Sequence, residues 1–189
     1  MFDLTDKIVV ITGGAGLLGK KHAEAVAEFG AIPVILDLSQ KKAEDTAFEI
    51  KEKYKVGSLG LAVDITSEQQ VLQCCEQLLQ KFGKIDVLIN NAANNPKVEE
   101  SKEGKNFTRL ENLDLKIWNQ DLNVGLTGAF LCSKHFGQAI SKNQNGGSII
   151  NISSDLGVIA PDQRIYRKEG LSEEEQNVKP VTYTVVKSG

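Results

Sequence analysis

Ile8-Val9-Val10-Ile11-Thr12-Gly13-Gly14-Ala15-Gly16-Leu17-Leu18-Gly19 is the stretch whose reading decides the fold. Its first half is short, apolar and β-branched, the pattern of a strand buried on both faces of a parallel sheet. Its second half is a glycine turn. From Leu17 to Phe29 the apolar residues Ala23, Val26 and Ala27 recur at helical spacing, while Lys20, Lys21, Glu24 and Glu28 point elsewhere. Strand, glycine turn and helix in that order form the phosphate-binding unit of a dinucleotide fold. Gly14, Gly16 and Gly19 satisfy G-x-G-x-x-G: one glycine makes the tight turn, one lets the backbone approach a pyrophosphate, and one permits close helix–strand packing. The anion then rests on N–H groups at the helix N-terminus. A glycine turn without a ligand is the competing reading, and the rest of the chain decides between them.

Outward from this unit, strands and helices alternate. Ala31–Asp37 reads as a second strand with Pro33 near its start, where a missing N–H is tolerated. A charged amphipathic helix runs from about Gln40 to Lys55, followed by a strand from Leu59 to Asp64. Val71, Leu72, Cys75, Leu78, Leu79 and Phe82 mark another helix, with Thr66 or Ser67 as its N-cap and Gly83 as its stop. A fourth strand, Ile85–Asn90, enters the polar turn Asn91-Ala92-Ala93-Asn94-Asn95-Pro96. Lys97–Asn112 is charged and without period, a loop with one short helical turn. Leu115, Trp118, Leu122, Ala129, Phe136 and Ile140 then line a long helix ended by Asn145-Gly146-Gly147, and Ser148–Ser153 is a fifth strand. This pattern predicts an α/β fold, an open, doubly wound parallel sheet with helices on both faces, in a single domain over residues 1–189.

Composition narrows the function. With 189 residues, 41% of them hydrophobic, the chain can bury one sizeable core. A net charge of -3 without a basic cluster argues against nucleic acid and anionic membrane as partners and favours a small soluble substrate. No apolar run reaches membrane-spanning length and no leader pattern opens the chain, so the expected location is the cytoplasm. Cys74, Cys75 and Cys132 have neither disulfide-framework nor zinc spacing and read as buried thiols, so no metal site is expected.

Two further features bear on chemistry. Asp37 closes the second strand about 20 residues after the glycine turn, where dinucleotide folds place the carboxylate that accepts the ribose hydroxyls. An acid there favours NAD over NADP, whose 2′-phosphate meets a like charge; capping of the next helix is the alternative role. Tyr183 and Lys187, four apart, share one helical face. A cation beside a phenol favours the phenolate and suits it to proton transfer. Tyr166 lacks a lysine at that spacing, having Gly170 instead.

The ordered set Thr12–Gly19, Asp64, Asn90-Asn91-Ala92, Asn123 within Trp118–Val124, Ile152-Ser153-Ser154 and Tyr183 with Lys187 resembles the short-chain dehydrogenase/reductase family across nearly the whole chain. The resemblance implies an NAD-dependent oxidoreductase interconverting a secondary alcohol and a ketone. In it Tyr183 exchanges the substrate hydroxyl proton, Lys187 holds the nicotinamide ribose, Ser154 orients the substrate oxygen, and Asn123 holds a relay water. Asp64 meets the adenine amine. The cofactor is lined by Gly13, Gly14, Gly16, Leu17, Leu18, Gly19, Asp37, Ile65, Asn90, Asn91 and Ala92 together with Tyr183 and Lys187. Ser153 in place of Ser154, and a helix kink as the role of Asn123, are the alternatives at those positions.

The family's pattern is extended in one place, by an insertion at about 155–180 that forms either a lid or a solvated excursion. Ala93 replaces a usual glycine. The family continues beyond the Tyr183 helix, so a longer protein is expected, with its C-terminal part outside this sequence. Family members pair through the helices bearing Asn123 and Tyr183, which implies a homodimer or homotetramer. The insertion and the Gly16-Leu17-Leu18-Gly19 turn resemble more specifically bacterial flagellin modification proteins, implying a sugar or nucleotide-sugar substrate with Arg164, Arg167 and Lys168 facing phosphate. The position of Leu17 also resembles the extended sugar-nucleotide branch, so an NAD-retaining nucleotide-sugar epimerase or dehydratase is the rival activity, and a non-catalytic cofactor-binding fragment the third.

Overall fold

The computed structural model describes residues 2–94 and 108–189. Most of the expected loop from Lys97 to Asn112 therefore lies outside the described residues, apart from a 3-10 turn at Leu110–Asn112. The chain divides into two compact units, residues 1–92 with 127–152, and residues 93–126 with 153–189.

The first unit is a five-stranded parallel sheet. Its strands are β1 (Ile8–Thr12), β2 (Ile32–Asp37), β3 (Leu59–Ala62), β4 (Val87–Asn90) and β5 (Ser148–Asn151), in the order β3-β2-β1-β4-β5. Its helices are α1 (Leu17–Glu28), α2 (Gln40–Tyr54), α3 (Glu68–Phe82) and α5 (Gly128–Ile140); α4 belongs to the second unit. Every residue of β1 is buried, as its apolar run demands in the middle of the sheet. Pro33 lies just ahead of the β2–β3 ladder, which begins at Val34 opposite Leu59, so no ladder bond is lost on that side. β5 is an edge strand with Ile149 and Ile150 exposed.

Local chemistry sets the helix ends. Ser39 caps α2 and Ser67 caps α3, each accepting from the N–H three residues on. Gly83 ends α3 in the left-handed conformation. The core of the unit joins Val9, Ile11, Ile35 and Ile89 of the sheet to Ala23, Ala27, Ala43, Ala47 and Ile50 of α1 and α2. Small alanines on the inner helix faces let these helices lie close to the β-branched sheet. Cys74, Cys75 and Cys132 are free, buried thiols, and burial pushes their pKa values up to about 12, 11 and 12.

Asp86 ties the β1 and β4 entrances together. It is buried, accepts from the Ile8 N–H at 2.9 Å, and pairs with Lys7 and Lys84 at 3.1 and 3.0 Å. Burial opposes its charge, but the Ile8 N–H and the two ammonium groups outweigh burial and hold the carboxyl below its usual range. A carboxyl lowered by folding contributes stability above the ordinary value of 3.8 and loses it as pH falls through the folded value. Asp86→Ala strands the buried Ile8 N–H and is expected to cost about 1–3 kcal/mol. Urea melts at pH 7 and pH 3 check this: the wild type loses part of its advantage over the variant at the lower pH.

The second unit contains α4 (Leu115–Leu122), α6 (Val181–Ser188) and 3-10 turns at Asp155–Gly157, Gln163–Tyr166 and Glu173–Glu175. Between α4 and α5 the chain makes a π turn, Asn123–Thr127, so the long helix expected from the Leu115–Ile140 stripe is interrupted. It also stops at Ile140, earlier than the Asn145-Gly146-Gly147 signal. Past this point Asn143 donates to the Ile85 carbonyl at 2.7 Å, which ties the chain to the entrance of β4. Among the described residues no helix is long and apolar enough to cross a membrane.

Candidate functional site

The predicted site residues fall in both units. In the first, the sheet order reverses between β1 and β4, which opens a crevice at their C-terminal ends. Thr12 bridges the two ends: its Oγ1 accepts from the Asn91 and Ala92 N–H groups at 3.0 and 3.1 Å. Asn91 answers by donating its side-chain amide to the Thr12 and Gly13 carbonyls at 2.9 and 3.2 Å. Asn91 thus braces the glycine turn with its side chain.

The turn is built for close approach. Gly13 takes φ +60°, and a Cβ on Gly19 stands 2.2 Å from the Gly13 carbonyl oxygen and 2.7 Å from the Gly14 Cα. α1 begins immediately after, with Gly16 as a cap that has no side chain and no acid in the first turn. The N–H groups of Leu17, Leu18 and Gly19 have no acceptor among the described residues, and Leu17 and Leu18 are exposed. A positive helix end with donors unused and no side chain in the way fits the pyrophosphate of a dinucleotide.

The other predicted cofactor residues have distinct surroundings. Asp37, half-buried at the end of β2, accepts from the Ser39 N–H at 3.2 Å, while Ser39 rather than Asp37 caps α2. Asp64 accepts from the Thr66 N–H and hydroxyl at 2.9 and 2.7 Å, and Ile65 is buried beside it. Asn90 points into the packing of β4, β5 and α5: its amide donates to Asn151 Oδ1 and Ser133 Oγ at 2.8 and 3.0 Å. The buried Asn90 Oδ1 has no partner among the described residues.

In the second unit, Asn123, Ser154, Tyr183 and Lys187 are brought together around α6. α4 packs on α6, and Gly125 in the π turn sits where a Cβ meets Val186 at 2.2 Å. Asn123 opens this turn and is exposed. The last turn of α6 is fastened to the segment after β5. Ser153 Oγ donates to the Lys187 carbonyl at 2.5 Å, Ser188 Oγ donates to the Gly157 carbonyl at 2.9 Å, and Gly157 leaves no room for a Cβ against the Lys187 carbonyl. Ser153 is therefore a structural hydroxyl. Ser154 caps the following 3-10 turn, donating to Asp155 at 2.7 Å and accepting from the Leu156 N–H at 3.3 Å.

Two ammonium groups flank the Tyr183 ring, Lys187 at 5.8 Å and Lys179 at 3.8 Å from its centroid. Burial pushes both lysines below the ordinary ammonium value. Lys179 was legible only as the mirror spacing K-x-x-x-Y-x-x-x-K, a weak signal because it lies outside α6. Of the basic residues expected to face phosphate, Arg164 is chelated by Asp162, and Arg167 is paired with Glu173. The Lys168 backbone is held by Gln176. A cavity of about 370 Å³ opens in this unit, with Arg109, Lys179 and Thr184 in its wall. Among the described residues there is no cluster of three metal-ligating side chains.

Comparison with known proteins agrees with this fold. The family model for short chain dehydrogenases matches residues 7–166. An NAD-dependent glycerol dehydrogenase of Listeria innocua is 30% identical over 164 residues, which are 87% of this chain and 59% of the relative. The post-translational flagellin modification protein A of Campylobacter coli is 26% identical over 98% of this chain and 68% of its own length. The crystal structure of an NAD+-bound xylitol dehydrogenase superposes with a TM-score of 0.78 at 26% identity, covering 99% of this chain and 62% of that one. The chain thus spans about three-fifths of the length of the glycerol and xylitol dehydrogenases. The family model covers most of the chain, and with its parallel sheet and glycine turn the chain belongs to the short chain dehydrogenases.

Proposed function

We propose that this chain carries the cofactor-binding and proton-transfer parts of an NAD-dependent oxidoreductase that interconverts a secondary alcohol and a ketone. The observation that carries this reading is the fastening of α6 to the Ser153–Gly157 segment, which keeps Tyr183, Lys187 and Ser154 in one small unit. The nicotinamide cofactor supplies the hydride chemistry when bound. Tyr183 exchanges the proton of the substrate hydroxyl, with Lys187 as its cationic neighbour. Ser154 orients the substrate oxygen once its hydroxyl turns from Asp155, and Asn123, at the opening of the π turn, holds a relay water. The free N–H groups of Leu17, Leu18 and Gly19 bind the pyrophosphate, with Gly13, Gly14 and Gly16 clearing its approach. Asp64, Ile65 and Ala92 line the cofactor, and Asn90 and Asn91 support that wall from behind.

The choice of NAD rests on Asp37, whose carboxylate is fixed by the Ser39 N–H at the end of β2. Initial rates with NAD and NADP test it. The wild type is expected to prefer NAD, and Asp37→Ala to narrow the preference by about tenfold, the effect of about 1.4 kcal/mol. Equal use of both cofactors by the wild type overturns the NAD assignment. Relatives named for glycerol, xylitol and flagellin modification support a polyol or sugar-linked substrate. A cytoplasmic homodimer or homotetramer is part of the same proposal.

A further inference from the structure

We propose that the cavity of the second unit is a subsite for an anionic group, a carboxylate or phosphate of the substrate, gripped by Arg109 and Lys179. The word substrate rests on the oxidoreductase reading; the anion subsite itself does not. At about 370 Å³ the cavity has the size of a small-ligand site. Its walls mix Leu110, Pro161, Val178 and Val181 with two cations, and apolar neighbours lower the local dielectric around a charge.

Arg109 is held but not used up. Its Nε donates to Glu111 at 2.5 Å and its Nη1 to the Glu173 carbonyl at 2.8 Å, while Nη2 has no acceptor among the described residues. A guanidinium has five N–H donors, so a forked face is left for an oxyanion. Among the described residues of the wall Glu111 is the one acid; it pairs with the Arg109 Nε and is 58% exposed against 20% for Arg109, so water screens the carboxylate more than the guanidinium. Lys179 is fixed from both sides by Gln163, which accepts from its backbone N–H at 2.7 Å and donates to its carbonyl at 3.4 Å. The same lysine covers the Tyr183 ring, so an anion bound to it lies beside the proposed proton-transfer group. Thr184, also in the wall, carries a buried Oγ1 without a hydrogen-bond partner among the described residues, a donor that a ligand oxygen satisfies. By contrast Arg164, chelated by Asp162, is 85% exposed and offers no such site.

Titration calorimetry on the full chain tests the proposal with matched probes: xylitol against xylonate, and glycerol against glycerol 3-phosphate. The anionic member of at least one pair is expected to bind about tenfold or more tightly than its neutral partner, as charged hydrogen bonds do. The two pairs distinguish carboxylate from phosphate. Arg109→Gln and Lys179→Met are each expected to remove most of that advantage, and Lys179→Arg to keep it. If Arg109→Gln fails to fold, the Lys179 pair of variants gives the answer alone. Equal binding of neutral and anionic probes, absence of anion binding, or an advantage untouched by the foldable variants overturns the subsite. Anion selectivity lost in these variants of a chain without nicotinamide-linked turnover supports the subsite and overturns only the oxidoreductase reading.

Discussion

Tyr183→Phe is expected to lower turnover by about 10²- to 10⁴-fold, the usual worth of a positioned general acid or base, and to leave dinucleotide affinity unchanged. The substitution removes one oxygen and keeps the ring on which Lys179 and Lys187 rest, so α6 and its fastening to Ser153 and Gly157 persist. The loss therefore belongs to kcat and not to cofactor binding. Steady-state rates with a saturating alcohol, set beside a cofactor titration of the same variant, separate the two. Undiminished turnover removes Tyr183 from the proton transfer.

Gly19→Ala acts on the other half of the chemistry. The added methyl stands 2.2 Å from the Gly13 carbonyl oxygen and 2.7 Å from the Gly14 Cα, both backbone atoms that cannot rotate away. The turn must open or α1 must shift, at about 1–3 kcal/mol for overpacking of this kind. Because the displaced groups are the N–H donors at the start of α1, the expected result is a loss of about 10- to 100-fold in dinucleotide affinity. A mild drop in melting temperature accompanies it. Normal affinity in a folded Gly19→Ala protein places the pyrophosphate elsewhere.

Features whose cause is local were readable from the sequence, and features set by tertiary packing were not. The β1 strand, the glycine turn and α1 follow from consecutive residues, so their order and extent agree with the structure. Ser39 and Ser67 cap helices through bonds to residues three positions away, again a local matter. The π turn at Asn123–Thr127 escaped because one extra residue per turn leaves an apolar stripe counted from Leu115 to Ile140 nearly unchanged. Asn123 stands at the opening of that turn. The direction of the Asn90 side chain was equally hidden, since Ser133 and Asn151 reach it from distant parts of the chain. Nor does any sequence pattern show that Asp162 neutralises Arg164 while Arg109 keeps donors to spare. All three arginines have an acidic neighbour, and what sets Arg109 apart is its low exposure and its place in the cavity wall.

The proposed oxidoreduction depends on a nicotinamide dinucleotide held by the β1–α1 turn. Titrating the full chain into NADH while following nicotinamide fluorescence tests it most directly. Saturable binding of one NADH per chain is expected, displaced by NAD and weakened in Gly19→Ala. Absence of saturable binding, or binding indifferent to Gly19→Ala, contradicts it.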